Sequence, residues 1–220
     1  MKQLSPVNPV DARFSILLGG ELTLTSRVRA QTAGTRTIAA DSGMAHAAAL
    51  GLGVELWVGD FDSAPAALQA AYPQVPRQTH PADKDKTDGE LAIDAALALG
   101  ARQLLLVGAL GGQTDHALGH LALLLSLAGR GVPAFATSGS EEAYPLLPGR
   151  LPISLPPGSR LSVIAFSDLG GLDISGVRWP LQQAAVGIGS TWTLSNVATG
   201  PVEIALRSGT GVVLAYPGGG

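Results

Sequence analysis

The chain has 220 residues, a formal net charge of −3, only 14% charged residues and no cysteine. Its length fits one large or two small domains. The weakly acidic charge argues against a nucleic-acid-binding surface, and the absence of thiols excludes disulfides and thiolate metal sites. An apolar fraction of 46% allows a substantial core, and a cysteine-free chain fits a reducing cytoplasm, the expected location. Met1 to Asp11 contains Pro6 and Pro9 but no apolar stretch, so no signal peptide is expected. The longest apolar helical stretch, Ala117 to Ala128, contains His120 and is too short to span a bilayer, so no membrane association is expected.

In chain order, Phe14 to Gly20 reads as a buried strand ending in a glycine turn, and Leu22 to Thr32 as a weak helix. Thr37 to Asp41 is a second strand, followed by Asp41-Ser42-Gly43 and an Ala-rich helix from Met44 to Leu50 that Gly51 stops. Glu55 to Val58 is a third strand, leading into Gly59-Asp60-Phe61-Asp62-Ser63 and a helix over 65–72 that Pro73 and Pro76 break. Alternating strands and helices predict a parallel sheet. The most charged run, His80 to Glu90, ends in Thr87-x-x-Glu90, a capping box for an apolar helix through Leu99. A strand over 103–107 follows, then Gly111-Gly112-Gln113-Thr114-Asp115-His116, a helix ending at Gly129, and a strand over 132–137. Beyond residue 140 helical periodicity disappears. Short β-type runs at 159–166, 191–194, 202–206 and 211–216 predict a small antiparallel unit. The expected domains are therefore 10–140 and 141–220.

Four β-to-α junctions carry carboxylates: Asp41; Asp60 and Asp62; Asp85 and Asp88; and Asp115. In a parallel sheet these junctions share one edge, the edge at which ligands bind. Paired carboxylates there suit Mg²⁺ bridged to phosphates, nearby glycines let backbone approach, helix N-termini attract anions, and Lys84 and Lys86 add positive charge. Simpler readings stand beside each piece. Asp62 with Ser63, or Asp115 alone, could cap a helix, and Asp41 could be a turn residue. The run from Asp83 could be a solvated charged loop. His116 and His120, one helical turn apart, suit one site contact and one packing residue better than a second metal site.

Ala40-Asp41-Ser42-Gly43, Gly59-Asp60-Phe61-Asp62-Ser63, Asp83 through Glu90, and Gly111 through His116 occur in the order and spacing of thiamine pyrophosphokinases, which the chain resembles from Phe14 to Tyr216. Gly176-Val177-Arg178-Trp179 and Ser195-Asn196 are similar to that family's second domain. The resemblance implies an N-terminal Rossmann-like α/β/α domain that binds ATP and Mg²⁺. It also implies a smaller C-terminal antiparallel β-sandwich that binds thiamine and forms a homodimer. The implied reaction is transfer of diphosphate from ATP to the thiamine hydroxyl, releasing AMP. Site residues implied are Asp60, Asp62, Asp85 and Asp88 for catalysis, with Asp60, Asp62 and Asp88 on the metal. Asp41, Gly43, Lys84, Lys86, Thr87, Gly111, Gly112, Asp115 and His116 would serve the nucleotide, and Trp179, Ser195 and Asn196 the thiamine. Three positions depart from the family pattern: Gln113 replaces a common Arg, His120 a frequent Asn, and Val197 a frequent Glu. The first removes a bidentate phosphate clamp.

Catalysis is expected to be in-line displacement at the β-phosphorus, with a carboxylate such as Asp88 accepting the hydroxyl proton. Asp62→Ala is expected to abolish turnover with the fold intact. Rival readings are a pyrophosphokinase for another alcohol such as a hydroxymethylpterin, a sugar-nucleotide transferase using Asp-x-Asp, and a non-catalytic thiamine or nucleotide sensor. The sensor has no need of so many acidic positions.

Overall fold

The structure, a computed structural model, describes residues 12–62, 64–81, 83 and 85–218. It is an α/β fold in two compact units. One runs to Gly112 and takes back Thr137–Gly139; the other holds Gln113–Ala136 and everything from Ser140 on.

In the first unit, strands β1 (Arg13–Leu17), β2 (Arg36–Ala40), β3 (Leu56–Gly59), β4 (Arg77–Thr79) and β5 (Gln103–Val107) lie in the order β5-β1-β2-β3-β4. Every pair among them is parallel, with Ile16 opposite Ile38 and Leu106, and Ala39 opposite Trp57. The central strands are apolar along their whole length because both faces are covered: Phe14, Ile16, Leu17, Ile38, Leu104, Leu106 and Trp57 are all buried. Helices α1 (Ser26–Thr32), α2 (Ala45–Leu50), α3 (Ala66–Ala71) and α4 (Asp88–Ala98) connect the strands. Helix α4 buries Ala92, Ile93 and Ala96 on one stripe and lies against β2 and β3. Burying the Ile93 side chain alone contributes roughly 2 kcal/mol. Chain order reverses between β1 and β5, making this the switch point of the sheet. There the Leu18 and Gly20 amides bond the carbonyls of Val107 and Gly108.

The expected helix at 44–50 divides into a 3₁₀ turn, Asp41–Met44, and α2. Strand β4 was not anticipated, because its three exposed residues carry no apolar signal. The Thr87 half of the capping box forms: its hydroxyl accepts from the Glu90 amide at 3.3 Å. The Ser63 cap lies outside the described residues.

The second unit contains α5 (Thr114–Gly129), β6 (Ala134–Thr137) except its last residue, β7 (Glu142–Leu146), β8 (Gly149–Ile153), β9 (Arg160–Ala165), β10 (Leu169–Val177), β11 (Leu181–Val186), β12 (Asn196–Leu206) and β13 (Gly211–Tyr216). The strands run in the order β6-β7-β13-β9-β12-β10-β11, with β8 also on β12, and each registered pair is antiparallel. A core of Leu146, Leu161, Val163, Leu172, Ile174, Ile204 and Val213 holds them together. Alternation along β12 and β13 supplies that face. Residues 191–194, expected as a strand, form a turn instead: Leu194 N–H closes on the Thr191 carbonyl.

Candidate active site

The carboxyl edge of the parallel sheet collects the site. Asp41 follows β2 and Asp60 follows β3 directly, while Asp88 is the first residue of α4. One carboxylate oxygen from each of Asp41, Asp60 and Asp88 lies within 4.8 Å of the other two, and all three residues are half-buried. Two unit charges at that separation repel by about 3 kcal/mol at an effective dielectric of 20. The α4 N-terminus offsets part of this at Asp88, and a bound cation would offset more.

Backbone strain marks the same place. Asp41 and Phe61 have φ of 43° and 65°, a left-handed conformation that a non-glycine residue holds only when its surroundings impose it. Asp41 is imposed upon by the buried Trp57, whose indole N–H donates to the Asp41 carbonyl at 2.8 Å. Gly59 brings the two junctions together: a Cβ there would stand 3.3 Å from that of Asp41. At Gly43 a Cβ would collide with the Leu17 carbonyl, so this turn packs directly on the end of β1. The Asp60 carboxylate accepts from the Asp62 amide at 3.2 Å, which ties the two acidic positions into one turn. Asp62 itself is exposed and is not one of the three clustered carboxylates.

The remaining expected residues are distributed as follows. Asp85 and Thr87 are exposed just ahead of α4, and Lys84 lies outside the described residues. Lys86 bonds Asp94 at 2.6 Å and approaches Glu90 at 3.4 Å. Its hydrogen bond to Asp94 and that carboxylate's charge hold its pKa above the ordinary lysine range. Gly111 and Gly112 both take left-handed φ, 77° and 70°. In the second unit, Asp115 and His116 are exposed in the first turn of α5, where the Asp115 carboxylate accepts from the His116 amide at 2.8 Å. The His116 and His120 rings stand 6.3 Å apart, edge to face.

Trp179 also belongs to the second unit, in the turn between β10 and β11, and is 54% exposed, so it is not a core tryptophan. The buried Asn196 side chain brackets it, accepting from the Trp179 amide at 3.1 Å and donating to its carbonyl at 2.7 Å. The Arg178 guanidinium lies 5.1 Å from the Trp179 ring. Ser195 is left-handed, φ 60°, and its amide bonds the Ser162 hydroxyl.

Sequence reasoning missed Trp57, which holds Asp41, and His46, which donates from Nε2 to the Gly20 carbonyl at 2.9 Å. It also missed Gln69 and Arg77 behind the Asp60 turn. A tryptophan inside a strand leading to an acidic turn was the one legible signal. The others depend on folding.

Comparison with known proteins adds to this geometry. A family model described as the thiamin pyrophosphokinase catalytic domain matches residues 30–136. A thiamine pyrophosphokinase from Bacillus subtilis (strain 168) is 31% identical over 144 residues, spanning 63% of this chain and 66% of the relative. The crystal structure of the thiamine pyrophosphokinase from Bacillus subtilis superposes with a TM-score of 0.81 at 25% identity, covering 94% of this chain and 99% of the other. A thiamin pyrophosphokinase from Geobacillus thermodenitrificans gives a TM-score of 0.78 at 29% identity, over 93% and 97% of the two chains.

Proposed function

This chain belongs to the thiamine pyrophosphokinase family, and from that membership we infer its reaction: it is a thiamine diphosphokinase, transferring a diphosphoryl group from ATP to thiamine. The observation that supports the chemistry best is the meeting of the Asp41, Asp60 and Asp88 carboxylates within 4.8 Å at the sheet edge.

This donor set fits Mg²⁺. It is all hard oxygen, drawn from three separate segments, and of one charge sign. Asp60 and Asp88 would hold the ion with Asp41 as the third carboxylate, and Asp62 adds charge at the same turn. When bound, Mg²⁺ neutralises phosphate oxygens and the charge that develops on departing AMP. The thiamine hydroxyl oxygen forms a bond to the β-phosphorus, and the bond from that phosphorus to the bridging oxygen of AMP breaks. A nearby carboxylate, Asp88 or Asp85, takes the hydroxyl proton. Positioning and charge neutralisation supply most of the acceleration in such transfers.

In this reading Gly43, Thr87 and the Gly111-Gly112 turn serve the nucleotide, and the family resemblance assigns Asp115 and His116 to it as well. Lys84 and Lys86 offset triphosphate charge. The pairs that occupy Lys86 are exposed, and exposed pairs are too weak to withhold it from a polyphosphate. The finer architecture follows the family: a Rossmann-like catalytic domain over 10–140, which counts α5 with it although α5 packs within the second compact unit, and a thiamine-binding, dimerising β-sandwich over 141–220. Trp179 supplies a stacking face for the thiamine rings, supported by its exposure. Ser195 shapes the adjacent turn, and Asn196, whose amide is spent on the Trp179 backbone, presents the ring without needing to touch substrate. The protein works as a cytoplasmic homodimer.

The test incubates the full chain with ATP, Mg²⁺ and thiamine and follows AMP and thiamine diphosphate by chromatography. Equal amounts of both products, abolished by EDTA, are expected. Thiamine binding with no AMP formed would make the protein a sensor instead.

A further inference from the structure

The strained turn that carries Asp60 is held from behind by two side chains that no motif marks. Phe61 keeps φ at 65° while packing edge-on against Trp57, ring centroids 5.1 Å apart. A left-handed aromatic residue is strained, so it persists only where neighbours over-determine it. Gln69 on α3 does this from one side, its Nε2 donating to the carbonyls of Phe61 at 3.2 Å and Ala64 at 3.0 Å. Arg77 on β4 acts from the other, its guanidinium 5.0 Å and 5.2 Å from the rings of Trp57 and Phe61. The two are also coupled. Arg77 donates to Gln69 Oε1 at 3.2 Å and to the Gln69 carbonyl at 3.0 Å. A guanidinium has only donors, so it fixes the amide with Oε1 toward itself and turns Nε2 toward the loop.

We propose that Arg77 and Gln69 are positioning residues that hold the Gly59–Ala64 turn in the conformation that brings the Asp60 carboxylate to those of Asp41 and Asp88. Neither touches the clustered carboxylates; they act through the backbone of Phe61. Arg77 is exposed and Gln69 half-buried, so the turn can relax to an ordinary φ without unfolding the protein. The proposal rests on the metal-dependent reading of the site, and its consequence is a separation of effects: metal binding and turnover fall together while thiamine recognition does not.

The discriminating variants are Arg77→Ala and Gln69→Glu in the full chain. Glu at position 69 keeps an acceptor, now charged, for Arg77, but sets carboxylate oxygen against the two loop carbonyls. Mn²⁺ affinity is read by electron paramagnetic resonance without substrate, alongside kcat, the thiamine KM and the melting temperature. Each variant is expected to weaken Mn²⁺ at least fivefold and lower kcat at least tenfold, with the thiamine KM within twofold and melting within a few degrees of the parent. The double variant is expected to be no worse than the poorer single, since both act on one element. Wild-type Mn²⁺ affinity in Arg77→Ala and Gln69→Glu would overturn the proposal, as would a parent protein that binds no Mn²⁺ at millimolar concentration. If the parent binds Mn²⁺ but forms no thiamine diphosphate, while the variants still lose the ion, the positioning role stands and the reaction assignment fails.

Discussion

At the residue scale the chemistry reduces to where charge is placed. Three half-buried carboxylates within 4.8 Å repel one another and favour a bound cation. Asp60→Asn, Asp41→Asn and Asp88→Asn are each expected to lower turnover by roughly 10²–10³-fold. The same substitutions should shrink the rise in melting temperature that Mg²⁺ confers, because one ligand charge is gone. Calorimetry with and without Mg²⁺ reads this; an undiminished rise would mean the aspartates do not hold the ion. A second residue-scale prediction concerns alkali. Lys86 is held above its ordinary pKa by Asp94, and Tyr216 above its own by burial and by hydrogen bonding to Glu141. The folded protein therefore keeps both protons after the unfolded chain has lost them. Stability conferred below about pH 10 is lost as pH rises through the two raised values. Urea midpoints measured across pH 9–11.5 should fall, and Tyr216→Phe should make that fall shallower.

At the scale of elements, helix starts and strand ends set the geometry. Thr87 caps α4 immediately before Asp88, so Thr87→Ala is expected to cost about 1 kcal/mol and to lower turnover several-fold by loosening Asp88. Thr87→Ser should restore both in a urea melt and a kinetic assay. Gly43→Ala pushes a methyl into the Leu17 carbonyl and should cost roughly 1–3 kcal/mol. In the antiparallel unit, Asn196→Ala removes both bonds that bracket Trp179. It is expected to raise the thiamine KM about as much as Trp179→Ala does, without changing the ATP KM. A change in the ATP KM instead would move the thiamine contact elsewhere.

At the scale of the molecule, the two units divide the labour in the proposed reading: the parallel sheet holds the polyphosphate and the antiparallel strands offer an aromatic face. Exposed Trp179, Trp192 and Ile188, each more than half accessible, make an unpaired chain an uneasy final state. Sedimentation equilibrium is expected to return twice the chain mass of 22.3 kDa; a single-chain mass at all concentrations would remove the dimer from the mechanism.

What the sequence determined alone was local. Apolar runs bounded by glycine marked β1, β2, β3 and β5, the alternation of strand and helix implied a parallel sheet, and motif spacing carried the family. Those signals are periodicity, capping and turn chemistry, which act between residues close in the chain. Tertiary structure decided which carboxylates meet. Asp41 joins Asp60 and Asp88, while Asp62, next but one to Asp60, stays exposed. It also decided that Arg77, on a strand with no apolar pattern, reaches the rings of Trp57 and Phe61. Those outcomes depend on left-handed turns that only surrounding contacts can enforce, and on residues 16 to 47 positions apart being folded into contact.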